Sequence, residues 1–240
     1  MTDPRSNGNG RLITERRRRR PTRSGVVLSA ELIVDEAIRL SRLHGLEGMS
    51  VRRLAAAVGC DPSSIYRYFA DTDDLLLVVT DRVLGEAMTG FTTGPSWIED
   101  LREIAHRIHA AFTDHPRIAA VMAVRVTHRN HEISAIETGL SLLLSAGFSP
   151  ADALRYGSIF ADTVLAHAAL DAAVLALSPE HADADQAAWS DTYQHLDPAQ
   201  YPALTAVRGE LAHAADNTFS AAIDLILTAI ADQAPRRNTL

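Results

Sequence analysis

The 240-residue chain has one cysteine, no lysine, and only 5% Phe, Trp and Tyr. A lone Cys60 excludes an intramolecular disulfide and a zinc site built from cysteines. The scarcity of aromatics leaves the core to Ala, Leu, Val and Ile. No apolar run approaches the roughly 20 residues of a membrane-spanning helix, and the amino terminus lacks the apolar stretch of a secretory signal. The expectation is a soluble cytoplasmic protein with no membrane partner. There is no G-x-S-x-G, no glycine-rich phosphate loop and no H-E-x-x-H, so no enzyme and no cofactor is expected. His106/His109 and His128/His131 stand at metal-compatible i,i+3 spacing, but in a chain with ten histidines such pairs read as helix faces. No metal is expected. Internal repeats and period-2 alternation are also missing, which points to an all-α fold.

Charge, by contrast, is present and unevenly placed. The net of −7 divides into three parts. Residues 1–24 carry eight arginines against Asp3 and Glu15, a net of +6; residues 25–70 balance at zero; residues 71–240 carry −13. Such a division suggests an arm suited to a polyanion and a body that is not. The arm has almost no apolar residues and is expected to be disordered on its own.

Helical signals begin at Ser29. Leu32, Ile33, Glu36, Ala37, Leu40 and Leu43 recur at three- and four-residue spacing, with Ser29 as N-cap and Gly45 as stop. A short helix comes after Ser50, with Leu54, Ala55 and Val58 on one face. Gly59 permits a turn, and Asp61-Pro62 opens a third helix expected to reach Phe69. A fourth begins among Asp71, Asp73 and Asp74, where negative charge suits the helix dipole, and runs over about 73–89. Ser96-Trp97-Ile98-Glu99 is a capping box for a helix to about Asp114. A short apolar segment, 117–124, comes next. Two further helices run from about His131 to Ala146 and from Ser149-Pro150 to about Leu177. Residues 178–200 read as a loop, and a last amphipathic helix spans about 216–233.

The order of a scaffold helix and two short helices joined by a glycine turn is that of a helix-turn-helix. Packing Leu54, Ala55, Val58, Ile65 and Phe69 inward leaves Ser63, Ser64, Arg67 and Tyr68 on the outer face of the third helix, with Tyr66 near its edge. Arg can hold guanine by two hydrogen bonds, Ser reaches several base edges, and Tyr hydroxyls suit phosphates. Any amphipathic three-helix cluster shares the pattern, so spacing alone leaves DNA binding open.

The residues Gly45-Leu46-Glu47-Gly48-Met49-Ser50-Val51-Arg52-Arg53-Leu54-Ala55, Val58-Gly59, Ser64-Ile65-Tyr66-Arg67-Tyr68-Phe69 and Leu75-Leu76 closely resemble the DNA-binding domain of TetR-family regulators. The likeness is strong over 28–78. It continues more loosely through Ser96-Trp97, Gly147-Phe148-Ser149 and Tyr201-Pro202, where the chain is similar to the tetracycline-repressor-type C-terminal domain. The resemblance implies an arm over 1–24, a three-helix DNA-binding domain over 25–78, a helical effector-binding and dimerisation domain over 79–233, and a tail over 234–240. It implies a homodimer on a pseudo-palindromic operator in double-stranded DNA, released by a small-molecule effector. Activation in place of repression stays open. By position, Ser50 and Arg53 would meet phosphates, Arg52 a base edge, Ser63, Ser64, Arg67 and Tyr68 the groove, and Tyr66 the DNA backbone.

One departure stands out. Many members open the fourth helix with a lysine that anchors a phosphate; here Thr72 lies between Asp71 and Asp73. The run Arg16, Arg17, Arg18, Arg19 and Arg20 is expected to make up the lost contact. Two readings of it stand: added affinity with little sequence choice, or a solvated tail. In the C-terminal domain the implied effector pocket would draw on Ile104, Ile108, Met122, Arg125, Ile136, Leu140, Phe160 and His167. Each aliphatic among them also fits plain bundle core. Asp162 or Asp171 is the expected internal partner for Arg125 or His167. Met122 stands where tetracycline-binding members place a metal-coordinating histidine, so tetracycline is not implied. The long helix ending near Leu177 and the last helix would pair two chains, through Ala168, Ala169, Ala172, Ala173, Ala176, Phe219, Ala222, Ile223, Ile226 and Ile230. An architectural DNA-binding protein without an effector, and an all-α enzyme, are the alternatives.

Overall fold

A computed structural model describes residues 27–44, 50–213 and 217–235. The arm, Gly45 and the tail from Arg236 lie outside the described residues. Among the described residues the only regular structure is helical: α1 (Ala30–His44), α2 (Val51–Ala57), α3 (Pro62–Ile65), α4 (Thr72–Met88), α5 (Trp97–Thr113), α6 (Pro116–Met122), α7 (Asn130–Ser145), α8 (Pro150–Leu175), α9 (Pro179–Ala187), α10 (Pro202–Ala206) and α11 (Thr218–Asp232).

The caps sit where short polar side chains precede apolar periodicity. Ser29 Oγ accepts from Leu32 N at 3.1 Å, Ser50 Oγ from Arg53 N at 3.3 Å, and Ser96 Oγ from Glu99 N at 3.4 Å. Gly59, at φ 70°, makes the left-handed turn between α2 and α3 that a Cβ would resist. α3 is shorter than the expected helix to Phe69. It ends at Ile65, and Tyr68 and Phe69 close tight turns by donating their N–H groups to the Ile65 carbonyl at 2.9 and 3.2 Å.

The stretch 178–200 is not the loop its polarity suggested. Ser178 caps α9 by accepting from His181 N, and Pro179 occupies the first turn, the same signal that opens α3 and α8. Ala-rich composition lets this helix form without an apolar stripe. The apolar segment 117–124 is likewise helical, as α6, and α10 lies within a stretch that gave no helical signal.

Two cores organise the molecule. The first joins Ile33, Val34, Ala37, Leu54, Ile65, Phe69, Leu75 and Val79 with Phe112 of α5, Ile118 and Met122 of α6, and Ala168 and Ala172 of α8. The helix-turn-helix therefore has no core separate from its neighbour, and α4 runs unbroken across the expected boundary at residue 78. The second core packs Leu101, Ile104, Leu143, Phe148, Phe160 and Val164 with Phe219, Ile223, Leu227 and Ile230 of α11.

That packing corrects the expected pairing surface. Ala168 and Ala172 are buried in the first core beside α5 and α6, and Phe219, Ile223 and Ile230 are buried where α11 covers α5 and α8. Apolar residues left outward on the same two helices include Leu170, Val174, Leu175 and Leu225. A second correction concerns length: α8, with 26 residues, is long and apolar enough by length and composition to cross a membrane. It carries Asp152, Arg155, Asp162 and Asp171, and lays one face against α5, α6, α7 and α11.

Candidate DNA-reading face and its junction with the helical body

The short helices α2 and α3 bring most of the expected contact residues onto one exposed surface. Arg52 and Arg67 are exposed and take no partner among the described residues. Ser50 stands at the N-terminus of α2, Arg53 is exposed beside it, and Ser64 is half-buried on α3. Arg16 to Arg20 fall outside the described residues.

The hydroxyl protons on this face are less free than the sequence suggests. Ser63 Oγ donates to Asp61 Oδ1 at 2.6 Å, and Ser63 N donates to the same oxygen at 2.9 Å. These two bonds, the hydroxyl first, hold the Asp61 carboxyl below its usual range. Tyr66 Oη lies 3.4 Å from Thr72 Oγ1, at the start of α4. Tyr68 departs furthest from expectation: its hydroxyl donates to the Leu28 carbonyl at 2.6 Å. Cys60, half-buried in the turn, has its thiol pushed up chiefly by burial, which suits packing and not a nucleophile.

The acidic start of α4 also has an explanation that net charge hides. Asp71 Oδ1 accepts from Asp74 N at 2.7 Å, and Asp74 Oδ2 accepts from Ala70 N at 2.9 Å, a reciprocal cap. The other oxygen of Asp74 receives Arg129 Nη2 at 2.7 Å, and Arg125 reaches Asp73 at 3.6 Å. Both arginines come from the segment between α6 and α7. The local acidity thus faces protein cations from the body.

The same segment grips α4 again further along. Asp81 is buried; its Oδ1 accepts from Glu132 N at 2.9 Å and Thr127 Oγ1 at 3.4 Å, and its Oδ2 pairs with His131 Nδ1 at 2.8 Å. Buried Glu132 accepts from Thr127 N at 3.1 Å and His128 N at 2.8 Å. His131 packs so closely on Gly85 that a Cβ there would collide with the ring. His128 holds a left-handed φ of 58°, a conformation that costs a non-glycine residue about 1 kcal/mol or more.

A third joint links α6 to α1. His115 is fully buried; its Nδ1 meets Ser41 Oγ, and Arg42 Nε donates to its Nε2 at 3.1 Å. Nε2 therefore accepts and Nδ1 carries the proton, which the Ser41 oxygen receives while its own hydroxyl donates to the Ile38 carbonyl. Burial first, then the Arg42 charge, push the imidazole down to about 4, so it is neutral near pH 7.

Of the expected pocket residues, Ile104, Met122 and Phe160 are buried, and Ile108, Leu140 and His167 are half-buried. Two are misplaced. Arg125 lies on the exposed segment after α6, paired with Asp73, and Ile136 is 53% exposed on the outer side of α7. Ile136 points outward because α7 packs against α4 and α8 through other positions, and Arg125 is drawn out towards Asp73. Asp171 pairs with neither Arg125 nor His167 but with His109, Nε2 to Oδ2, at 2.7 Å. Sequence reading missed the cluster this builds: His109 stacks on Phe219 at 3.8 Å between centroids, with His106 and His167 edge-on to the same ring. It also missed His115, Asp81 and Glu132. Asp81, a lone acid within Leu-Leu-Leu-Val-Val-Thr-Asp-Arg-Val-Leu, was the visible signal.

Comparison with known proteins agrees with this geometry. The family described as "Bacterial regulatory proteins, tetR family" matches residues 33–79, and "Tetracyclin repressor-like, C-terminal domain" matches residues 92–234. A curated "HTH-type transcriptional regulator" of Saccharopolyspora erythraea is 28% identical over 144 residues, 60% of this chain and 61% of the relative; the match thus spans about three-fifths of that relative's length. Among solved structures, the transcriptional regulator SCO7222, a TetR from Streptomyces coelicolor, is 28% identical with a TM-score of 0.69, over 87% of this chain and 100% of that one. The TetR family protein ActR of Streptomyces coelicolor, solved in complex with actinorhodin, shares the fold at 23% identity, with a TM-score of 0.75 over 87% of this chain and 98% of its own. With the helix-turn-helix and the helical body both matched, the chain belongs to the TetR family of bacterial regulatory proteins.

Proposed function

We propose that the protein is a sequence-specific DNA-binding transcription regulator, a repressor that leaves a pseudo-palindromic operator when a small molecule occupies its helical body. The observation that carries this is the exposed pair Arg52 and Arg67, unpartnered among the described residues on the outer face of a helix-turn-helix. Guanidinium groups held so are ready for guanine edges or phosphates. Ser50, Arg53, Ser63, Ser64 and Tyr66 complete the contact face, with Ser63 accepting in place of donating while Asp61 holds its proton. Selection of duplexes from a random pool tests this: enrichment of a two-fold sequence with half-sites about one helical turn apart, or a multiple of it, is expected. Recovery of no preferred sequence would count against it.

The effector acts through α4. Ile104, Ile108, Met122, Leu140, Phe160 and His167 supply a mostly apolar lining with one polar ring, suited to a small hydrophobic molecule. ActR, of like fold, is solved in complex with actinorhodin. A ligand that shifts α6 draws on the grips at Asp73, Asp74 and Asp81 and at His115, and so moves α4 and α1 together. By linkage, operator DNA weakens the effector by the same factor as the effector weakens DNA.

Two copies pair through α8 and α11, where Leu170, Val174, Leu175 and Leu225 stand exposed. Sedimentation at micromolar concentration is expected to give a dimer; a monomer contradicts it.

A further inference from the structure

We infer, on the two-fold operator proposed above, that His115 is a positioning residue. Through Ser41 and Arg42 it fixes the angle at which α1 carries the reading face on the helical body, and with it the half-site spacing a dimer accepts. His115 stands at the corner between α5 and α6. Its N–H donates to the Phe112 carbonyl and its carbonyl accepts from Ala119 N, both at 2.9 Å, so the corner belongs to both helices. Pro116 fixes the first turn of α6 behind it. A polar side chain just before a helix can cap it, yet this ring makes no cap bond and crosses to α1 instead.

The crossing is directional. Arg42 Nε can only donate, and it donates to Nε2 at 3.1 Å; Nδ1–H meets Ser41 Oγ, whose own proton goes to the Ile38 carbonyl at 3.0 Å. One tautomer and one ring orientation satisfy all three groups at once. The apolar packing around them sets no such direction, since burial rewards area and not angle. Another polar link to α1, from Arg82 to Asp35 at 3.4 Å, is solvent-exposed and weak. The reading face is built on α1, where Ile33, Val34 and Ala37 share the first core with Leu54, Ile65 and Phe69. The 15 residues of α1 span about 22 Å, so a tilt of about 10° at the His115 end moves the other end by about 4 Å, close to the roughly 3.4 Å of one base-pair step. The joint therefore decides whether two reading faces, one per protomer, meet their grooves in register.

The test uses the full chain and the duplex recovered from the random pool, remade with its half-sites one or two base pairs nearer or farther apart. The natural chain is expected to lose about tenfold or more for a single step of spacing. His115→Leu, an apolar side chain that bonds neither partner, is expected to lose less than about threefold while selecting the same half-site sequence. His115→Gln carries one acceptor and one donor, as the neutral ring does, and is expected to restore the natural preference. Ser41→Ala removes one partner with little loss of volume and is expected to relax the spacing as well, so poor folding of His115→Leu leaves a second variant to decide. A purely structural loss would lower affinity for every spacing alike. That result overturns the inference, as does a His115→Leu chain that keeps the natural spacing preference. Failure of the natural chain to enrich any two-fold duplex is a separate outcome, and defeats the operator reading on which the inference rests.

Discussion

Two arginines on the candidate reading face, Arg52 and Arg67, differ from the arginines of the body. Arg52 and Arg67 have no partner among the described residues, whereas Arg82, Arg102, Arg107, Arg125, Arg129 and Arg155 each pair with a carboxylate. The same residue type thus does two jobs according to what surrounds it. Where no acid reaches it among the described residues, the guanidinium stands open to solvent. Where acids are dense, it pairs within its own helix at Arg82, Arg107 and Arg155, joins α5 to α11 at Arg102, and at Asp73 and Asp74 ties the body to the helix directly after the reading face.

That contrast can be broken at several points. The largest effect is expected at the junction: Asp81→Ala leaves the buried Glu132 N without its acceptor and His131 Nδ1 without its partner, and should cost about 2–4 kcal/mol, read as a lower melting temperature. Next comes His115, whose folded-state value of about 4 lies below its unfolded value near 6.5. The neutral ring stabilises the fold above about pH 6.5, and that contribution should fade as pH drops through 4, up to about 3 kcal/mol in full. Denaturant melts at pH 7, 5.5 and 4 should show this slope, and a His115→Gln chain should show much less of it.

On the reading face, Arg67→Ala should cost about 1–3 kcal/mol of affinity for the selected duplex while leaving the melting temperature within a degree or two. The smallest effect belongs to Arg155→Ala, whose partner Asp152 is exposed at 3.4 Å; less than about 0.5 kcal/mol is expected in either assay.

Local signals carried most of the fold. Ser50, Asp61-Pro62, Ser96 and Ser149-Pro150 mark helix starts because a cap is decided by a few neighbouring residues. The same logic at Ser178-Pro179 was hidden by the polarity of residues 180–200, which suggested a loop where α9 stands. The exposure of Arg52, Ser63 and Arg67 was legible, since packing Leu54, Ile65 and Phe69 inward leaves them outward. The bonds those side chains make were not. Tyr68 and Leu28 are forty residues apart, Asp74 and Arg129 fifty-five, and Ser41 and His115 seventy-four. Periodicity carries no information at such separations. For the same reason Arg125 and Ile136 were expected inside and stand outside. Ala168 and Ala172 of α8 were expected between chains and are buried within one.

The measurement that bears most directly on the division between reading and gripping arginines compares Arg67→Ala with Arg129→Ala. Each is assayed for affinity to the selected duplex and for melting temperature. The account predicts that Arg67→Ala loses duplex affinity at unchanged stability. Arg129→Ala should lose stability, because it strips Asp74 of its cation, and lose affinity only as far as α4 loosens. Contradiction would be the reverse pattern, with Arg67→Ala melting early and Arg129→Ala abolishing DNA binding at full stability.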